Sequence, residues 1–208
     1  MSILNRVALF SLFTVIGCAD VEEHDHDHHD HDHEVMTTVV LTFTSQADGA
    51  ELEFIWADVE NDADPVIDDI LLPEATDFDV SVQLWNELED PTEDVTPEIQ
   101  DEADEHQVFF TGDAVEGPAT GENADAILLH DYADEDANGL PLGLLNTVST
   151  LGHGTGDLVV TLRHMPPEND QAIKVEGLAD TVATEGFGAI GGANDVSVTF
   201  AVEVEHAD

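Results

Sequence analysis

Residues 195–205 alternate without a break, with Val196, Val198, Phe200, Val202 and Val204 on one side and polar or small residues on the other. Successive side chains of a strand point to opposite faces, whereas apolar positions on a helix recur every three to four residues. The spacing therefore specifies a strand with one dry face. Phe78, Val80, Val82 and Leu84 repeat the pattern within residues 77–85. A dry sheet face must lie against another layer, so the chain has to build at least two packed layers.

Other segments read the same way. Residues 37–44 are rich in Val and Thr and form a strand, with 51–56 as its partner across Gln46-Ala47-Asp48-Gly49. Further strands are expected at 106–110, 124–130, 143–150 and 157–164. One helix is expected over 96–105, where Thr96-Pro97-Glu98 offers an N-cap, a proline at the first helical position and an acidic first turn. Strand–helix alternation is absent, which disfavours a doubly wound fold. The expectation is an all-β, antiparallel immunoglobulin-like β-sandwich with one short helix, preceded by a disordered tether.

The N-terminus has a different character. Arg6 is followed by an apolar run from Val7 to Ile16, then Gly17 and Cys18. These are the parts of a secretory signal, and the run is shorter than the roughly 20 apolar residues that span a bilayer. Val15-Ile16-Gly17-Cys18 resembles a lipobox, in which the peptidase cuts before a cysteine that carries the lipid. Cys18 is the only cysteine in the chain, so no disulfide framework exists and lipidation is its expected role. Cleavage leaves about 190 of the 208 residues, enough for one domain with a real core. The expected organisation is a signal peptide at 1–17, an acylated cysteine and tether at 18–35, and a β-sandwich at 36–208. Asp20 does not directly follow Cys18, which favours the outer membrane, with the domain in the periplasm or at the cell surface.

Charge narrows the partners. Asp and Glu number 48 against 3 Lys and Arg, a formal net charge of −45. Such a chain repels nucleic acid and attracts cations.

Three constellations bear on chemistry. The first is the run His24, Asp25, His26, Asp27, His28, His29, Asp30, His31, Asp32 and His33. Neutral imidazole is a ligand for zinc, copper and nickel, and interleaved carboxylates complete a shell or orient the rings. Alternate residues of an extended chain share a side, so two or three histidines can reach one ion without a prior fold. Zinc is the expected ion, with copper or nickel as substitutes. A solvated spacer needs charge but no histidine. The second is Asp134-Glu135-Asp136-Ala137-Asn138-Gly139, which matches the opening of a calcium loop. The position for a bidentate Glu falls on Leu145, so a complete EF-hand is excluded. Asp134, Asp136 and Asn138 are candidate calcium ligands, or the polar residues of a hairpin turn. The acidic loop 58–64 is a weaker candidate of the same kind. In the third, His106 and His164 stand at strand ends near acidic residues and are candidate metal ligands, with Glu102 or Glu105 sharing the site. His130 and His153 are weaker candidates still.

The lipobox, the acidic tract, the Val/Thr strand from Val35, the segment Ile99-Gln100-Asp101-Glu102-Ala103-Asp104-Glu105-His106-Gln107-Val108-Phe109-Phe110 and the run Leu158-Val159-Val160-Thr161-Leu162-Arg163-His164 together resemble a group of uncharacterised bacterial lipoproteins. These have a His/Asp-rich N-terminal tract, occur in Bacteroidota and other marine or soil bacteria, and sometimes carry the label type 1 periplasmic-binding fold. That label requires two α/β lobes, for which this chain lacks the pattern. The resemblance implies a lipid anchor, a cell-envelope location and an all-β domain.

No G-x-S-x-G or H-E-x-x-H is present, and the expectation is binding and not catalysis. Two functions are compatible with these features. One is a lipid-anchored protein that captures or buffers a divalent transition metal, with an outer-membrane transporter as a candidate partner. The alternative is a structural or adhesive cell-surface β-sandwich with calcium-stabilised loops and the tract as spacer.

Overall fold

In the computed structural model, which describes residues 35–206, the alternating segments pair into two sheets. In chain order the strands are β1 (Thr38–Ser45), β2 (Glu51–Ala57), β3 (Val66–Ile67), β4 (Ile70–Pro73), β5 (Asp77–Asn86), β6 (Glu93–Asp94), β7 (His106–Thr111), β8 (Val115–Glu116), β9 (Leu128–Tyr132), β10 (Leu145–Thr150), β11 (Gly154–His164) and β12 (Ala193–Glu205). The larger sheet runs β3-β2-β1-β5-β10-β9-β8, with β6 paired to β5, and the smaller runs β4-β12-β11-β7. The long pairs are antiparallel. Two short edge pairs are parallel, β4 with β12 and β8 with β9.

The alternation explains the packing. Val39, Leu41, Phe43, Phe78, Val80, Val82 and Leu84 from the larger sheet meet Val108, Phe110, Leu158, Val160, Leu162, Val198, Phe200, Val202 and Val204 from the smaller in one core. Burying each such side chain contributes about 1.5–3 kcal/mol. Phe43 anchors the middle, edge-on to Phe54 and Phe78 at 5.7 Å each. The all-β reading and the two-layer requirement therefore both hold. Among the described residues no helix is long and apolar enough to cross a membrane.

Helix α1 (Thr96–Asp101) is shorter than expected. Val95 holds the cap position, and the Thr96 hydroxyl accepts the Leu84 N–H at 2.9 Å instead of capping. The helix is thus stitched to β5 by the residue expected to start it. A second helix, α2 (Leu178–Glu185), and a 3₁₀ turn (Phe187–Ala189) were not foreseen. They cover the outer face of the smaller sheet, where Phe109, Ala119, Met165, Leu178, Val182 and Ile190 form a second cluster. β7 and the last part of β11 are consequently buried on both faces. The expected strand at 124–130 begins at Leu128, because 123–126 form a turn in which the Asn123 side-chain amide donates to the Asp113 and Val115 carbonyls.

Candidate metal centre

Cys18 and the tract residues His24, Asp25, His26, Asp27, His28, His29, Asp30, Asp32, His31 and His33 lie outside the described residues. Of the remaining candidates, His106, His153 and His164 fall on the smaller sheet or at its end, whereas His130, the Asp134 turn and Asp58 belong to the larger sheet and its loops.

His106 opens β7 and His164 closes β11, and the antiparallel register makes them direct partners. Their rings stack with centroids 4.4 Å apart and planes 10° from parallel. Both are buried. The His106 Nδ1 lies 3.2 Å from the Glu102 carbonyl oxygen. A carbonyl only accepts, so Nδ1 carries the proton and Nε2 faces the Asp195 carboxylate at 3.8 Å. His164 Nε2 faces Glu105 at 3.5 Å. Asp195 reaches this place through a bulge: Leu162 pairs with Val196 and Arg163 with Asn194, leaving Asp195 as the extra residue. Bulges re-aim a side chain in this way. The pair and the carboxylates foreseen from the sequence are thus brought together, and Glu102, His106 and His164 offer ligand atoms within 4.8 Å of one another. A metal–imidazole bond lies in the ring plane. Two nearly parallel planes do not converge on one ion unless a ring turns, and tight packing makes that turn costly.

Arg163, one step before His164, points to the opposite face. Its guanidinium donates to the carbonyls of Gly191, Ile190 and Gly192 at 2.7, 3.1 and 2.8 Å and to the Asn194 side chain at 2.7 Å. The loop can wrap it because Gly192 adopts a positive φ of 79°, and any side chain there would collide with the His164 carbonyl. Burial lowers the Arg163 pKa, against the opposing charge of Asp195.

The far end of β11 holds a second group. Gly154 pairs with Val204, and Pro73 pairs with Glu205. The next residues outward on three adjacent strands, Glu74, His153 and His206, therefore meet at one sheet end. His206 Nδ1 is 3.3 Å from Glu74 Oε1, and His153 Nδ1 is 3.9 Å from Glu74 Oε2. The imidazole centroids are 3.7 Å apart, tilted by 32°. The two histidines are 60% and 67% exposed. Glu74 and His206, 132 positions apart, were not foreseen. The only available signal was that His206 and His153 each stand just outside a strand.

The Asp134 turn uses its oxygens internally. Asp134 accepts the Gly143 and Leu145 N–H groups at 2.6 and 2.8 Å, and Asp136 accepts those of Asn138 and Leu140 at 2.8 and 3.0 Å. The Lys174 ammonium sits 2.9 Å from the other Asp136 oxygen and donates to the Ala103 carbonyl at 2.6 Å. Burial alone would raise the Asp136 carboxyl, but the Leu140 N–H and Lys174 outweigh it and hold it below its ordinary value. Burial pushes Lys174 down in spite of Asp136. This geometry supports the turn reading of Asp134, Asp136 and Asn138. Asp58 likewise accepts the Asp62 and Ala63 N–H groups at 3.0 and 2.9 Å.

His130 is a core residue. It stacks on Phe110 at 4.4 Å, and its Nε2 is 2.9 Å from the Asn146 side-chain oxygen. Burial lowers its pKa, which favours the neutral ring.

No protein-family model, curated protein or solved structure matches the chain.

Proposed function

We propose that the protein is an exported, lipid-anchored binder of divalent transition metal, zinc foremost, which captures or buffers the ion through its His/Asp tract. The observation that carries this reading is compositional: every residue from His24 to His33 is His or Asp. Carboxylates concentrate cations and imidazoles ligate them. Cys18 would hold the collector at the envelope, through acyl chains whose methylenes each contribute about 0.8 kcal/mol. Copper or nickel would occupy the same groups, and copper more tightly. A tract of this kind is suited to holding ions and passing them on, and an outer-membrane transporter is a partner consistent with the location.

The folded domain is consistent with a cation-facing role. Among its described residues both basic side chains, Arg163 and Lys174, are buried. The exposed titratable surface is therefore acidic or histidine, which disfavours nucleic-acid partners.

Zinc titration of the full chain in detergent tests the reading. The unaltered chain should bind more zinc at pH 7.5 than a chain with His24, His26, His28, His29, His31 and His33 all changed to Asn. Tract-bound zinc should leave near pH 5, because protonated imidazole cannot ligate. Equal zinc uptake by the two chains would refute it.

A further inference from the structure

We propose that Glu74, His153 and His206 form a discrete, structured metal site on the folded domain, separate from the tract and taking a borderline divalent ion such as zinc. The proposal does not depend on the tract binding metal.

The donor set is two imidazole nitrogens and one carboxylate, the kind of set that selects zinc, copper, nickel or cobalt over calcium. The spacing is close to what an ion needs. Tetrahedral zinc with bonds of about 2.0–2.1 Å places its ligand atoms roughly 3.3 Å apart. The Nδ1 atoms of His206 and His153 lie 3.3 and 3.9 Å from the two Glu74 oxygens, and all three ligand groups fall within 4.8 Å of one another.

Register supplies the preorganisation. The Glu74 N–H donates to the Glu205 carbonyl at 3.0 Å, which fixes the carboxylate beside the end of β12. β11 pairs with β12 along its whole length and brings His153 to the same end. The backbone positions of all three ligands are thereby set before an ion arrives. The two rings are mostly in solvent, so they can turn about their side-chain bonds to converge on an ion without disturbing the core. The same exposure leaves coordination positions open to water or to a ligand donated by another molecule. Binding there would also tie β4, β11 and β12 together at their ends.

That last property gives a test that separates this site from the tract. A ligand raises stability only if it prefers the folded state. Ligands drawn from one short run of sequence stay close together in the unfolded chain as well, whereas this site exists only when three strands are paired. Thermal unfolding of the full chain should rise by about 5 °C or more when zinc is a hundred-fold above its dissociation constant. The chain with all six tract histidines changed to Asn should keep the rise and bind one zinc in equilibrium dialysis. His153→Asn combined with His206→Asn should lose the rise, with a metal-free melting temperature close to that of the parent. Glu74→Gln should weaken zinc about ten-fold or more. A rise that persists in the double variant, or its absence in the unaltered chain, overturns the proposal. So does an equal rise with calcium, which prefers oxygen ligands. If the tract-substituted chain binds as much zinc as the parent, the tract reading fails while this site stands.

Discussion

A histidine stands at each end of β11, His153 just before its first residue and His164 as its last, and the two ends differ in almost everything else. His153 and His164 are 11 positions apart, about 35 Å of extended chain. Each histidine is matched to a second one through strand pairing, and each pair faces at least one carboxylate. At the His164 end, the loop at Ile190 and the second core cluster cover the sheet, and both histidines are buried. At the His153 end the two rings are mostly exposed among the described residues. One residue set therefore serves as packed interior scaffolding where it is dry, and as an accessible ligand group where it is wet. Burial sets the role because a desolvated polar group must keep its partner, while an exposed one can exchange its partner for water or an ion.

The sharpest way to break this comparison is at the closed end. Lys174→Met removes the ammonium that links Ala103 to Asp136 and leaves the buried carboxylate without its counter-charge. The expected loss is about 3–5 kcal/mol in urea unfolding. A loss under about 1 kcal/mol would mean that this end is more hydrated than the burial of Lys174 indicates.

Next in size is His164→Ala, which deletes a buried ring stacked on His106 and facing Glu105. About 2–4 kcal/mol of stability should go, from the cavity and the desolvated carboxylate together. The matching change at the open end, His153→Asn, should shift unfolding by no more than about 0.5 kcal/mol. Equal losses at the two ends would erase the distinction.

A smaller effect separates burial from facing charge. His130 is buried against Phe110 and Asn146, with its pKa lowered from 6.5 mainly by desolvation. The unfolded chain then takes up this proton first as pH falls. Stability should be undiminished above pH 6.5 and should decline below it, until the folded ring also protonates. Each pH unit in that window removes at most about 1.4 kcal/mol. His130→Gln should flatten that part of the stability profile, measured by urea unfolding between pH 7.5 and 5. An unchanged slope would show that His130 contributes nothing to it.

Several elements were legible because the physics behind them is local. The period of two in β5 and β12 could only be satisfied by strands with one buried face, and both form where the pattern stands. The hairpin β1–β2 followed from two strand-like runs around Ala47-Asp48-Gly49. Elements that depend on remote partners were not legible. Helix α2 has only Leu178 and Val182 as buried anchors, and its Thr and Val residues carry little helical preference. It forms because Phe109 and Met165 offer it an apolar surface. Strand β4 is four residues long and takes its place only by pairing with β12. Within the site, His106 could be suspected because Asp104 and Glu105 adjoin it, and His164 because it closes a strand-like run. Glu74 and His206 could not, since nothing near either announces the other.

The sequence alone determined the layers, the sign of the surface and the chemistry of the tract. Those follow from side-chain period, charge count and donor type, none of which needs a partner in space. Which histidines meet, and whether water reaches them, was decided by the tertiary structure. Register joins residues more than 130 positions apart, and the covering layer sets the local dielectric. The same imidazole and carboxylate are a packed pair in one setting and an open ligand group in the other.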